Sequence, residues 1–80
     1  MIDLIFLPSK EQATVDTATA ITSILLIYGA VNIVDTNGNI VATLQDDIEI
    51  YTIPANSGKY IIRNDTEYSS KVAIVRMFYI

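Results

Sequence analysis

Residues 30–44 read Ala-Val-Asn-Ile-Val-Asp-Thr-Asn-Gly-Asn-Ile-Val-Ala-Thr-Leu and contain the clearest structural signal in the sequence. Asn37-Gly38 separates two runs in which apolar and polar residues alternate, a pattern typical of a β-hairpin. The dipeptide predicts a type I′ turn, because both central residues of that turn need a positive φ. Counting outward from the turn predicts pairs such as Ile33 with Ala42. This register places five residues on the core-facing side: Val31, Ile33, Ile40, Ala42 and Leu44.

Further short apolar segments lie on both sides of this hairpin and are separated by turn-forming residues. Ile, Val and Thr supply 28 of the 80 residues, and β-branched side chains favour strands. Residues 9–20 fit either a strand or a short helix. The sequence predicts a single all-β domain over residues 1–80, a small antiparallel β-sandwich or jelly-roll-like barrel of six or seven strands. The other predicted strands are Ile2–Leu7, 21–28, 48–53, Lys59–Arg63 and a last strand within 68–80.

Charge and composition exclude several classes of function. The chain has five basic and nine acidic residues, a net charge of −4, and no His, Cys or Trp. The acidic balance disfavours nucleic acid, since phosphate binding needs clustered Lys and Arg. The missing residue types exclude disulfides, thiol catalysis and His/Cys metal sites. The sequence therefore predicts a non-enzymatic protein with no cofactor and no metal.

Weaker motifs are better explained as turns than as chemical sites. Asp35-Thr36-Asn37-Gly38-Asn39 resembles the start of a calcium loop, but the twelfth position is Asp46 rather than a bidentate Glu. Asn64-Asp65-Thr66 matches a glycosylation acceptor, and we expect an Asx-type turn there instead. The Ser and Lys residues show no distinctive spacing that would pair a nucleophile with a base. We expect no catalytic residue.

Residues 17–34 contain no charge, which is close to the minimum length of a membrane-spanning helix. Several Thr residues and Asn32 interrupt the run, and both flanking residues, Asp16 and Asp35, are acidic. This pattern favours two adjacent strands, so a membrane partner is not expected. Met1-Ile2-Asp3 lacks the basic region of a signal peptide, and we expect no secretion by that route.

Two predicted strands, residues 21–28 and 71–80, are apolar on both faces. A two-layer domain buries one face of each sheet, so the other face is expected to meet a further surface. Small domains without disulfides or metals are commonly stabilised by oligomerisation. The sequence predicts a homo-oligomer, with a trimer slightly favoured. The candidate interface residues are Arg76, Phe78, Tyr79, Ile80, Leu26 and Tyr28.

Two stretches, Asp-Thr-Asn-Gly-Asn-Ile (35–40) and Ile-Pro-Ala-Asn-Ser-Gly-Lys-Tyr-Ile-Ile-Arg-Asn (53–64), carry a family resemblance. In style the chain resembles small structural proteins of tailed-bacteriophage particles, such as capsid decoration (auxiliary head), head–tail joining and fibre-base proteins. The resemblance implies a virion component, located in the virion, that binds the major capsid protein or another virion protein. The alternative is a small acidic binding or inhibitor protein in a host cytoplasm.

Overall fold

The computed structural model describes residues 2–46 and 49–78. Within these ranges the chain forms eight strands in two antiparallel four-stranded sheets, and it forms no helix. The first sheet has the order β1-β8-β3-β6 and the second sheet has the order β2-β7-β4-β5. The strands are β1 (Ile2–Leu7), β2 (Gln12–Asp16), β3 (Ala20–Tyr28), β4 (Val31–Val34), β5 (Ile40–Leu44), β6 (Ile50–Ile53), β7 (Lys59–Arg63) and β8 (Ser70–Phe78).

The all-β sandwich prediction is confirmed, with eight strands where the sequence predicted six or seven. The additional strand is β2, which settles residues 12–16 as strand rather than helix. A turn closed by a hydrogen bond from Glu11 N to Pro8 O (3.1 Å) separates β2 from β1. Thr17 ends β2, since its hydroxyl donates to Gly58 O (2.7 Å) across the sheet end instead of continuing the strand.

The core lies between the two sheets and takes side chains from all eight strands. One side chain of every two points inward along most strands, as the pleat requires. The buried cluster consists of Leu7, Val15, Ile24, Leu26, Val31, Ile33, Leu44, Ile53, Ile62, Val72 and Ile74, and Ala13, Ala42, Tyr51 and Tyr60 are among those that pack against it.

The β4–β5 hairpin is present, but its predicted turn type is wrong. Gly38 N donates to Asp35 O (3.1 Å) and Asp35 N donates to Asn39 O (2.9 Å). Gly38 has φ +84°, whereas the non-glycine residues with positive φ in the described chain are Lys10 and Asn56, not Asn37. This geometry is a type I turn followed by a left-handed glycine.

The longer loop changes the hairpin register near its tip. The predicted pairs Ile33 with Ala42 and Val31 with Leu44 are confirmed, and a bulge then pairs Val34 with Ile40. A one-residue shift moves a side chain to the other face of a sheet. Ile40 is consequently 53% exposed, and its predicted place in the core is wrong.

The glycine in this turn provides a first test of the hairpin. Gly38→Val is expected to lower the free energy of unfolding by about 1–3 kcal/mol, because a β-branched residue is strained at positive φ. A Cβ at this position would meet nothing within 4 Å, so the cost is confined to the backbone. Chemical denaturation measures it, with Gly38→Asn as a control that tolerates the left-handed conformation. Equal stability of the Val variant and the wild type would contradict this turn geometry.

Candidate functional site

The outer surface of the first sheet, which we call the apolar face, is built from alternate residues of β1, β8, β3 and β6. Strand register aligns these residues in rows across the sheet, because paired residues lie side by side. One row runs Leu4, Ala73, Leu25, Ile50, and the next runs Ile2, Val75, Ser23, Thr52. Ile21 and Met77 form a pair beyond the second row, and Phe6 pairs with Lys71 beyond the first.

Five large apolar side chains project from this face into solvent. Sheets that face water on one side normally carry polar residues there. Here Ile2, Leu4, Phe6, Ile50 and Met77 are each 55–66% exposed. Among the described residues the charged side chain on this face is Lys71, which is half-buried at its end. A contiguous apolar surface of this kind is typical of a protein interaction site.

The apolar face has relief as well as apolar character. Ala73 lies between Leu4 and Leu25 in its row and is only 5% exposed, because its methyl group is lower than the two flanking leucines. Leu4 is 61% exposed and stands above it at the edge. The centre of the face is therefore a shallow dip beside a leucine ridge, a shape that can receive a side chain from another surface.

The structure separates the six predicted interface residues. Leu26 is 1% exposed in the core, so its predicted place at an interface is wrong. The reason is the phase of β3, whose Ala20, Thr22, Ile24 and Leu26 all point inward. Tyr28 follows a bulge and is 43% exposed, and Phe78 is 52% exposed at the open end of the sandwich. Tyr79 and Ile80 lie outside the described residues.

Arg76, the predicted polar interface residue, is paired within the chain. Its Nη1 donates to Asp3 Oδ2 (2.6 Å), which joins β8 to the edge strand β1. Asp3 pairs with Ile74 in register, so this ion pair lies on the inward side of the sheet and not on the apolar face. Sequence reasoning did not select the β1 residues that dominate the apolar face. The signal was present in Ile-Asp-Leu-Ile-Phe-Leu (2–7), where the outward-pointing positions are all apolar.

Polar interactions are concentrated around the second sheet. Asp65 accepts hydrogen bonds from Asn32 Nδ2 (2.6 Å) and from Arg63 Nε (2.8 Å), and these bonds hold the pKa of its carboxyl below the usual value. Glu49 accepts the backbone N–H groups of Gln45 and Asp46 (2.9 and 2.8 Å), which likewise lowers the pKa of Glu49. The two surfaces of the sandwich therefore differ in chemistry, one apolar and one polar.

Within residues 2–46 and 49–78, no three His, Cys, Asp or Glu side chains come together as a group that could hold a metal ion. The same part of the chain contains no helix able to cross a membrane.

Comparison with known proteins identifies the fold. No protein-family model and no curated protein matches the chain. Solved structures do match it. Drosophila melanogaster CENP-C bound to CAL1 has a TM-score of 0.78 at 15% identity, covering 96% of this chain and 64% of that one. The Drosophila melanogaster CENP-C cupin domain has a TM-score of 0.75 at 16% identity, covering 96% of this chain and 60% of that one. This chain thus spans less than two thirds of the length of these neighbours.

These comparisons correct the predicted biological role. The expectation of a virion component is wrong, because the solved structures that share the fold are CENP-C domains and not phage proteins. The same finding contradicts the viral classification and the predicted location in a virion. The resemblance of the two quoted stretches to phage proteins stays a prediction. One neighbour is bound to a second protein, so the fold serves protein binding there, whereas no capsid partner has a counterpart.

Proposed function

We propose that this chain is a non-enzymatic protein-interaction domain that self-associates through the apolar face. The observation that carries the proposal is the outward-facing apolar surface of the first sheet, with five large side chains more than half exposed. Complete burial of such a side chain contributes about 1.5–3 kcal/mol. Covering the exposed part of all five would contribute on the order of 6 kcal/mol before the entropic cost of association is subtracted.

A second copy of the chain suits this face better than a charged partner. An isologous contact places a surface against the same surface of another copy, so the surface must complement itself. The described residues of the apolar face include no acidic side chain, and two chains of net charge −4 can therefore meet without juxtaposing carboxylates. The leucine ridge at Leu4 and the dip at Ala73 offer complementary shapes across a two-fold axis.

A two-fold dimer replaces the predicted trimer in this proposal. A closed trimer needs two different contact surfaces on each chain, whereas one flat face paired with itself closes a dimer. The use of the same fold to bind CAL1 in a neighbouring structure supports a role in protein assembly. The dimer would present two copies of the polar second sheet on opposite outer sides.

Sedimentation velocity at micromolar concentration tests the proposal. We expect the wild-type chain to sediment as a dimer of 8.8 kDa subunits, and Leu4→Lys to sediment as a monomer. A lysine at this exposed position buries a charge in the contact without disturbing the core. It also brings the net charge closer to zero, so general charge repulsion cannot explain dissociation.

Ile40→Lys is the matched control, since Ile40 is similarly exposed but lies on β5 of the second sheet. This variant is expected to stay dimeric, and circular dichroism checks that both variants remain folded. A monomeric wild type, or a control that dissociates as readily as Leu4→Lys, would exclude the apolar face as the site of self-association.

A further inference from the structure

A pocket of about 400 Å³ lies on the outer surface of the second sheet, on the opposite side of the sandwich from the apolar face. We call it the hairpin pocket. Its floor is formed by Val34 of β4 and Ile61 of β7, which are paired in register. Val34 points outward and is nevertheless only 3% exposed. The tip of the β4–β5 hairpin, with Thr36 and Gly38, forms one wall of the pocket.

The bulge that overturned the predicted turn also shapes this pocket. It lies between Ile33 and Val34, immediately before the loop, and bulges bend a strand and increase its twist. Asp35 Oδ1 accepts the backbone N–H groups of Asn37 and Asn39 (both 2.9 Å), which holds the loop in one conformation. The wall of the pocket is therefore a hydrogen-bonded turn and not a loose loop.

Two cationic side chains flank the apolar floor. Lys59, Ile61 and Arg63 are alternate residues of β7, so they share one face of the sheet at intervals of about 6.6 Å. Arg63 Nε is bound by Asp65, which orients the guanidinium. Lys59 forms no ion pair with any of the residues that the structure describes. The acidic residue in the lining, Asp35, already accepts the two N–H groups of its own turn.

We propose that the hairpin pocket binds an acidic peptide in an extended conformation, with an apolar side chain between two acidic residues. Alternate residues of an extended peptide lie on one side at the same interval as alternate residues of β7. The complement of Lys59, Ile61 and Arg63 is therefore an acidic, any, apolar, any, acidic sequence. The apolar side chain covers Ile61 and Val34, and each carboxylate meets one cation. The volume suits one such side chain, since ligand pockets span about 300–1,000 Å³.

Local charge favours this ligand in a chain whose total charge is −4. The lining contains two cations and one carboxylate, so the pocket is more positive than the chain as a whole. Acidic side chains on a partner are attracted to such a patch, and salt weakens the attraction where the pair is exposed. The inference does not depend on self-association, because the two surfaces lie on opposite sheets.

Titration of the ¹⁵N-labelled chain followed by NMR tests this proposal. The probe is an acetylated and amidated peptide, Glu-Ser-Leu-Ser-Glu, and two control peptides replace both Glu by Gln or the Leu by Ser. We expect saturable shifts of the backbone amides of Val34, Gly38 and Ile61 with the probe. Each control peptide is expected to bind at least about fivefold more weakly.

Lys59→Gln is expected to weaken probe binding by about fivefold, whereas Lys71→Gln, the same change on the opposite sheet, is expected to leave it unchanged. The monomeric Leu4→Lys variant is expected to bind the probe like the wild type. Three results would overturn the proposal: no saturable shift at millimolar probe, equal binding of the Gln-substituted peptide, or equal weakening by Lys59→Gln and Lys71→Gln.

Discussion

Gly29→Ala is expected to lower the free energy of unfolding by at least about 3 kcal/mol, which is a large part of the stability of a domain this size. A Cβ at Gly29 would lie 2.7 Å from Ser70 Cβ and 2.8 Å from Ser69 O, and it would also overlap Ser70 Oγ. Gly29 has φ +87°, so the added methyl group carries backbone strain besides the steric overlap. Denaturant unfolding followed by circular dichroism measures the loss.

This site cannot relax easily, because Ser70 is held by both backbone groups of Ala30. Ser70 Oγ donates to Ala30 O (3.0 Å) and accepts from Ala30 N (3.0 Å), and Ser70 is fully buried. This pair of bonds fixes the point where the chain leaves β3 in the first sheet and enters β4 in the second. Moving Ser70 away from a new methyl group would break both bonds at the crossing.

Gly58→Ala is the matched control for Gly29→Ala. Gly58 has a similar φ of +94°, and a Cβ there would meet nothing within 4 Å. The control is therefore expected to cost about 1 kcal/mol from the backbone alone. If the two variants were equally stable, the close approach of Gly29 to Ser70 would not be a feature of the folded chain in solution.

The existence of most strands could be predicted from local patterns, whereas the direction of their side chains could not. Strands such as β3 and β8 have apolar residues in both phases of the alternation, so a period of two gives no preference for either face. Leu26 was assigned to a surface for this reason, although it lies in the core. Only pairing with neighbouring strands decides which phase points inward.

The hairpin shows a second limit, which arises from turn geometry. Asn37-Gly38 correctly predicted the position of the turn, but the side chain of Asp35 accepts two backbone N–H groups of the loop and stabilises a longer turn. The extra residue produces the bulge that exposes Ile40 and forms the wall of the hairpin pocket. A single local hydrogen-bonding choice therefore changed both the core and a candidate site.

Asn64 shows a third limit, since sequence reasoning treated it as part of an ordinary turn. It is fully buried, and its Nδ2 donates to Leu7 O (2.9 Å) and Tyr68 O (2.7 Å), with a longer bond to Pro8 O. Its Oδ1 accepts the backbone N–H (3.0 Å) and the hydroxyl (2.7 Å) of Thr66. One amide group thus connects the end of β1 to the loop between β7 and β8.

Asn64→Leu is expected to lower the free energy of unfolding by about 3–5 kcal/mol. The two side chains are similar in size, but the leucine leaves the carbonyl groups of Leu7 and Tyr68 without their donor, and each buried unpaired group costs about 1–3 kcal/mol. Asn39→Leu is the control, because Asn39 is exposed and that variant is expected to change stability by less than about 0.5 kcal/mol. Thermal and denaturant unfolding measure both variants. Similar stability of Asn64→Leu and Asn39→Leu would mean that solvent reaches these carbonyl groups and that the loop between β7 and β8 is not fastened to β1.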